Sequence, residues 1–400
     1  MRVCNGGYVF SAMLEVPISD LSVQAAPDLG PAERPGPAAR ILIVLHDFSG
    51  GGTERVAIRL ANQWARMGRA VRIFCGTEAG PLRCLVDEQV LVEQADPVLP
   101  RGPFSRVRLG FALAVAADRF RPDAVFAPGN FHLLAVAAFG LRDRSGAATL
   151  CKISNPLARR DRRGPSGWLR RNVIRLLAAR LDCLVAMSPA LRAEAAALIH
   201  PDRLAARWEP LIAATRATPR PERDPSLIVA AGRLEPQKNF ALAIEAMAHL
   251  SRWTDARLVI LGDGSERAHL AQLIDRLGLH GRVTLQGHVP DVTPWLQRAS
   301  CYLMTSRYEG YPASLVEALA NNLPAVVTPC SAALSEILPP DGLGGVSAPD
   351  AGAIACAVQT VLRRQRLQSV DPMLLARHDE ERAAASYLDL IDRCVRECDR

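Results

Sequence analysis

Two carboxylates, Glu309 and Glu317, bracket the run Gly310-Tyr311-Pro312-Ala313-Ser314-Leu315-Val316. Gly310 and Pro312 shape a turn, and the apolar spacing beyond it predicts a helix opening near Ala313. Glu309 then lies in the loop before the helix, and Glu317 lies about one turn inside it. The first N–H groups of such a helix have no partner within it and favour an anion. One carboxylate can reach a sugar ring while the other accepts hydrogen bonds from hydroxyls further along the same ligand. Earlier in the chain, Gly232-Arg233-Leu234-Glu235-Pro236-Gln237-Lys238-Asn239 follows the apolar run Leu227–Ala231. Lys238 is one of only two lysines, the other being Lys152, in a chain whose remaining basic residues are arginine. A guanidinium fork and a compact ammonium at a strand mouth suit a diphosphate; a solvated loop is the plainer alternative. A third cluster, Gly50-Gly51-Gly52-Thr53-Glu54-Arg55, leads into a helix with Val56, Leu60, Trp64 and Met67 on one side. A glycine-rich turn at a helix start presents backbone N–H groups to an anion. It lacks the spacing of the dinucleotide fingerprint, and a plain tight turn would look the same.

These residues need strands and helices to hold them, and the pattern supplies both. Short apolar runs at Ile41–Leu45, Val71–Cys75, Ala124–Ala127, Thr149–Ile153 and Cys183–Ala186 alternate with helical periodicity. A second series runs through Leu227–Ala231, Leu258–Leu261, Val283–Leu285, Cys301–Met304 and Ala325–Val327. Alternation of this kind implies an α/β protein with parallel sheets, and two series imply two doubly wound domains. A length of 400 residues accommodates two such cores. Prolines 210, 219, 221 and 225 mark a linker over 209–225. The expected division is an extension over 1–38, a first domain over 39–208, the linker, a second domain over 226–378, and a helix over 379–400. That last segment carries Ala383, Tyr387 and Ile391 at helical spacing and is placed to pack back on the first domain.

Apolar residues make up 49% of the chain and charged residues 22%, which excludes fibrous and globally disordered classes. The uncharged run Ala124–Leu141 contains Pro128, Gly129 and Asn130 and reads as strand, loop and helix rather than a membrane span. The first residues lack the pattern of a signal peptide, and Met13 is an alternative start. Ten cysteines without zinc spacing read as reduced buried thiols in a cytoplasmic protein. Residues 101–223 hold 22 Lys or Arg against 9 Asp or Glu, whereas the whole chain is +7. A basic first domain suits an anionic partner such as phospholipid, lipid phosphate or nucleic acid; a solvated arginine-rich surface is the alternative. Within it, Arg159–Leu181 combines eight arginines with Trp168, Leu169, Val173, Leu176, Leu177 and Leu181 on an apolar side. That pattern fits either a helix lying on an anionic membrane or a core-packed helix with its arginines in water.

In order and separation the three motifs resemble the retaining glycosyltransferases of family 4, whose fold is GT-B. Gly51-Gly52-Thr53-Glu54-Arg55 is similar to the family's first glycine motif, Gly232-Arg233 with Lys238 to its second, and Glu309 with Glu317 to its paired glutamates. The resemblance covers about residues 40–395. The segment Glu209-Pro210 and residue Pro312 depart from the family pattern. The resemblance implies two Rossmann-like domains around a cleft and transfer of a sugar from a nucleotide-diphosphate sugar, a UDP-sugar by preference. It implies that Gly232, Arg233 and Lys238 hold the diphosphate, that Glu309 meets the donor sugar, and that Glu317 binds ribose. Backbone amides from Gly310 through Tyr311, Pro312, Ser314 and Leu315 then line sugar and phosphate, while Gly51 and Gly52 close over the diphosphate from the first domain. His132 takes a catalytic place beside the donor sugar or is an ordinary helix-start histidine; Asn130, Lys152, Ser154 and Asn155 are further candidates facing the cleft. The expected acceptor is a glycan, lipid-linked or a polysaccharide precursor. No nucleic acid and no metal cofactor are expected, and the protein is placed in the cytoplasm or peripherally on the inner face of the cell membrane. The rival readings are a nucleotide-sugar epimerase of the same fold, which would alter the sugar without transfer, and a non-catalytic scaffold that binds a sugar nucleotide.

Overall fold

The computed structural model describes residues 37–140, 145–157, 165–213, 221–338, 344–363 and 370–398. The expected extension therefore lies outside the described residues up to position 36, as does linker segment 214–220. Two all-parallel sheets carry the molecule. The first contains β1 (Arg40–Leu45), β2 (Ala70–Cys75), β3 (Leu91–Gln94), β4 (Ala124–Ala127), β5 (Ala148–Lys152), β6 (Cys183–Ala186) and β7 (Leu204–Ala206), in spatial order β3-β2-β1-β4-β5-β6-β7. The second contains β8 (Leu227–Ala231), β9 (Arg257–Leu261), β10 (Val283–Gly287), β11 (Cys301–Met304), β12 (Ala325–Val327) and β13 (Gly344–Val346), ordered β10-β9-β8-β11-β12-β13. The chain is thus α/β with two doubly wound lobes.

The central strands are buried on both faces, as in β1, β4, β8 and β11, because helices cover each sheet twice. Strand order reverses between β1 and β4 in the first sheet and between β8 and β11 in the second. A crevice opens beyond the carboxyl ends of strands where order reverses, since the two flanking loops turn to opposite faces. All three sequence motifs emerge at these two places. The glycine turn follows β1, the Gly232–Asn239 segment follows β8, and the Glu309 turn follows β11.

The helix Gly52–Arg66 turns Val56, Leu60 and Trp64 into the core, and Gly68 at φ 82° permits the chain to leave it. Met67 lies beyond the helix end and only partly enters the core. The helix Glu380–Cys398 returns to the first lobe. Trp64 Nε1 donates to the Ala384 carbonyl at 3.0 Å, Tyr387 stands edge-on to Phe126 at 5.8 Å, and Arg69 pairs with Asp392 at 2.8 Å.

The run Ala124–Phe139 is a strand, a short turn over Asn130–His132 and the helix Leu133–Phe139. No described helix is long and apolar enough to cross a membrane. The arginine-rich segment differs from expectation in which side it buries. Its helix spans Pro165–Ala178, and residues 158–164, including Arg159, Arg160, Arg162 and Arg163, lie outside the described residues. Ile174, Ala178 and Leu181 are buried, whereas Trp168, Leu169, Val173 and Leu176 are 62%, 59%, 44% and 63% exposed. The first three face the lobe's core at helical spacing, so the other four are carried around to solvent.

Candidate functional site

A cleft of about 790 Å³ runs between the two switch points. From the first lobe it is lined by Gly50–Arg55, Arg101, Asn130–His132, Ser154 and Asn155; from the second by Gly232, Arg233, Asp263, His288 and Val292. Gly51 is the cap residue of the Gly52–Arg66 helix, so Gly51, Gly52 and the helix start face the same space as Arg233. The Arg233 side chain is exposed to that space and has no ion-pair partner among the described residues.

Lys238 is placed differently. Its ammonium lies 2.6 Å from Glu309 Oε1, and its stem packs over Gly232, where an added Cβ would stand 3.0 Å from Lys238 Cε. Glu309 is buried, with polar contacts to both carboxylate oxygens. Ser306 Oγ donates to Oε1 at 2.6 Å, Gln237 Nε2 approaches Oε2 at 3.4 Å, and the Glu309 N–H donates to the Cys330 carbonyl. The structure therefore joins Lys238 to Glu309 and leaves Arg233 as the cation of the pair that fronts the cleft.

The helix after the turn spans Ala313–Ala320 with Pro312 at its cap. Gly310 sits where the lobes touch: a Cβ there would come within 2.1 Å of the Ser154 carbonyl oxygen, so only glycine fits. The Tyr311 side chain turns away from the cleft, and its hydroxyl lies 2.8 Å from His378 Nε2. Leu315 is wholly buried, so only its backbone can face a ligand. Ser314 lies beside the buried Tyr302 hydroxyl. Glu317 is half-buried, and burial raises the pKa of its carboxyl despite Arg59 and Arg55 nearby.

On the first lobe His132 is 1% exposed, and both ring nitrogens lack a hydrogen-bond partner among the described residues. Burial, then His46 and Arg101 nearby, lower its pKa to about 3, so the imidazole is neutral at pH 7. Asn130 knits the cleft wall: its Oδ1 accepts from the Ser154 N–H at 2.8 Å and its Nδ2 donates to the Asn155 carbonyl at 2.7 Å. Ser154 and Asn155 reach the cleft, but Lys152 does not. It is 1% exposed, with its ammonium 2.8 and 3.0 Å from the two Glu209 oxygens.

Sequence reasoning did not single out the ionic wall beside the glycine turn. Arg101 donates to Asp47 through Nε and, at 2.9 Å, through Nη2, and it lies 3.4 Å from Glu54 Oε1. Its guanidinium also covers the Phe131 ring at 4.8 Å. Burial alone would raise the Asp47 carboxyl, but His46 at 3.7 Å and hydrogen bonds from Arg101 and Ser49 outweigh it and hold the pKa far below the usual range. Burial raises that of Glu54, which Arg101 only partly offsets. The position of Asp47 just past β1 was the signal available.

Residues 51–207 match the model of the glycosyl transferase 4-like domain, and residues 225–364 match that of the glycosyl transferases group 1. The chain belongs to the group 1 glycosyltransferases. This glycosyltransferase is 33% identical over 120 residues to an uncharacterized glycosyltransferase of Methanocaldococcus jannaschii, covering 30% of each chain. It is 29% identical over 188 residues to the lipopolysaccharide core biosynthesis glycosyltransferase LpsE of Rhizobium meliloti, covering 45% of this chain and 54% of the relative. The matched segments thus span only about a third to a half of these curated relatives. The solved structure of Anabaena HepE in complex with UDP and glucose has a TM-score of 0.67 at 17% identity, covering 89% of this chain and 98% of that one. The lipopolysaccharide outer core galactosyltransferase WaaB gives 0.63 at 19% identity, covering 88% and 99%. The glycosyltransferase shares their two-lobed GT-B fold.

Proposed function

We propose that this glycosyltransferase moves a hexose, with retention of anomeric configuration, from a nucleotide-diphosphate sugar to a lipid-linked or polysaccharide-precursor acceptor. The observation that carries this reading is Arg233, without an ion-pair partner among the described residues, fronting a cleft whose opposite wall is the glycine-capped start of a helix. Departure of a nucleoside diphosphate leaves charge on phosphate oxygens, and a preorganised guanidinium with helix-end N–H groups stabilises it without reorganisation. Those groups serve in place of a metal. The bond from the anomeric carbon to the phosphate oxygen breaks, a bond to the acceptor oxygen forms, and the acceptor proton passes to the departing phosphate.

Glu309 fits a positioning role. Lys238 and Ser306 both donate to its Oε1 and Gln237 approaches Oε2 at 3.4 Å, a network that holds the carboxylate in place beside the turn. Glu317 is the candidate for ribose hydroxyls, and the two orphaned nitrogens of His132 are candidates for the donor sugar. UDP is the favoured nucleotide because HepE, a structural neighbour, holds UDP and glucose. Relatives named for lipopolysaccharide core biosynthesis favour a surface-glycan acceptor.

An anionic membrane on the inner face of the cell is the proposed site of action. Trp168, Leu169, Val173 and Leu176 stand in solvent on a helix that also exposes Arg171 and Arg175, with Arg180 exposed just beyond its end. Apolar side chains among arginines suit the boundary between lipid headgroups and acyl chains. Flotation with anionic vesicles should recover the wild-type chain and lose the Trp168→Ser/Leu169→Ser variant; equal recovery from neutral vesicles rejects this placement.

Thermal-shift measurement with UDP, GDP and ADP, followed by incubation with a panel of nucleotide sugars, tests the reaction. Slow donor hydrolysis and stabilisation by UDP are expected; an altered sugar with no release points to epimerisation, and silence throughout to a scaffold. Glu309→Gln should lower turnover more than donor affinity, measured by steady-state kinetics beside calorimetric binding. Activity in excess EDTA tests independence from metal.

A further inference from the structure

The chain passes between the lobes twice, near residues 208–213 and again at 378–380, and the two passages are bonded to each other. Ile212 and Asp379 form a parallel bridge, the N–H groups of Leu211 and Ile212 donate to the His378 carbonyl at 3.0 and 2.9 Å, and the Glu380 N–H donates to the Ile212 carbonyl at 3.1 Å. His378 sits at this join, fully buried. Its Nδ1 lies 2.9 Å from the Glu209 carbonyl oxygen and its Nε2 lies 2.8 Å from the Tyr311 hydroxyl. A carbonyl only accepts, so Nδ1 carries the hydrogen; Nε2 then offers a lone pair, and the Tyr311 hydroxyl donates to it. Burial lowers the His378 pKa to about 4, which keeps this neutral form at pH 7.

The chain of contacts extends at both ends. Glu209 also holds Lys152 at the end of β5, so the first passage is fixed to the first lobe by a buried ion pair. Tyr311 stands two residues after Glu309, with only Gly310 between them, so the second end is the acidic turn itself. Trp208 closes the cluster edge-on, 6.1 Å from the Tyr311 ring and 5.6 Å from His378, while Arg377 covers the Trp208 ring at 5.2 Å. A contact serving only the second lobe's core would join residues of that lobe; this one joins the turn to both passages.

We propose that Tyr311 and His378 are positioning residues whose hydrogen bond clamps the Glu309–Pro312 turn to the paired interlobe passages, so that the turn holds its ligand-facing shape only while the lobes are closed. The proposal rests on the reading of the cleft as a sugar-nucleotide site. A rotation of one lobe against the other that bends the passages at their shared bonds acts on His378, whose carbonyl accepts from both Leu211 and Ile212. Displacing its ring moves the acceptor for Tyr311, and the turn loses its anchor on that side.

The test uses the full chain. Tyr311→Phe keeps the ring and removes the hydroxyl. His378→Asn keeps a donor for the Glu209 carbonyl and removes the acceptor for Tyr311, whereas His378→Gln restores an acceptor near the Nε2 position. Tyr311→Phe and His378→Asn should each lower kcat about 3- to 10-fold, the range of one hydrogen bond, with donor KM nearly unchanged and a larger fraction of donor lost to hydrolysis. The double variant should be no worse than either single one, and His378→Gln should recover most of the loss. Hydrogen exchange needs no catalysis: the amides of 309–311, 313 and 314 should exchange faster in Tyr311→Phe than in wild type, with the unfolding midpoint measured alongside. Unchanged exchange across the turn, or additive losses in the double variant, would overturn the clamp. Absence of nucleotide binding by the wild-type chain would instead remove the sugar-nucleotide reading, while the exchange comparison still decides the clamp.

Discussion

The two walls of the cleft handle charge in opposite ways. On the first lobe one of the two arginines lining the cleft is already paired: Arg101 lies against both Asp47 and Glu54 and stacks over Phe131, while Arg55 stands in the first turn of the helix. On the second lobe Arg233 reaches the same space without a described carboxylate partner, and Lys238 stands behind it on Glu309. A ligand that brings two phosphate charges is held best by a cation that gives up no partner to meet it, since breaking an existing pair would offset the gain. The other wall meets an anion through the N–H groups of the helix start at Gly51 and Gly52, while neutral His132 offers hydrogen-bonding atoms to hydroxyls. The difference lies in commitment: Arg101 is held by its own wall, whereas Arg233 is not held by a described carboxylate.

Acid should expose that contrast most strongly. His132 titrates near 6.5 when unfolded and about 3 when folded, so the unfolded state takes up its proton first as pH falls. Its contribution is complete above pH 6.5 and is lost progressively toward pH 3, on the order of 4 kcal/mol. His378, lowered to about 4, acts in the same direction, as does Asp47 below the usual carboxylate range. Urea unfolding at pH 7.5, 5.5 and 4.5 should show this fall, and His132→Phe should flatten it; an unchanged slope breaks the assignment of a neutral buried imidazole. Arg233→Ala should come next, with turnover down about 100- to 1,000-fold (about 2.7–4 kcal/mol) and unfolding free energy within about 0.5 kcal/mol of wild type. Steady-state kinetics beside denaturant titration decides it, and a loss of stability with turnover intact would reverse the contrast. Asp47→Asn should show the opposite signature at a smaller scale, a stability loss of about 1.5–3 kcal/mol with UDP binding by calorimetry little changed.

How much of this was legible beforehand follows from the range of each interaction. The central strands declare themselves because burial on both faces demands continuous apolar runs, as in Leu42–Leu45 and Leu227–Ala230. β3, β7 and β13 escape notice: β3 is an edge strand with Glu93 and Gln94, β7 has three residues, and β13 contains two glycines. The turns carrying Gly51, Arg233 and Glu309 are visible because glycine and proline mark them locally. The Arg101–Asp47 pair, the Lys152–Glu209 pair and the Tyr311–His378 bond join residues 54, 57 and 67 positions apart, and no local pattern announces them. The reversal at Trp168 and Leu169 has the same origin. Hydrophobicity showed an apolar side on that helix, but neighbouring elements decide which side meets the core.

The returning helix Glu380–Cys398 has a consequence for how the molecule is made. Tyr387, Leu388 and Ile391 fill space beside Trp64 and Phe126, yet the ribosome reaches them only after the whole second sheet has been translated. The first lobe is therefore left with an unsealed interior during synthesis until the helix that follows the second sheet has been made. Premature termination before Glu380 would harm the first lobe, although every strand of its sheet had already been made.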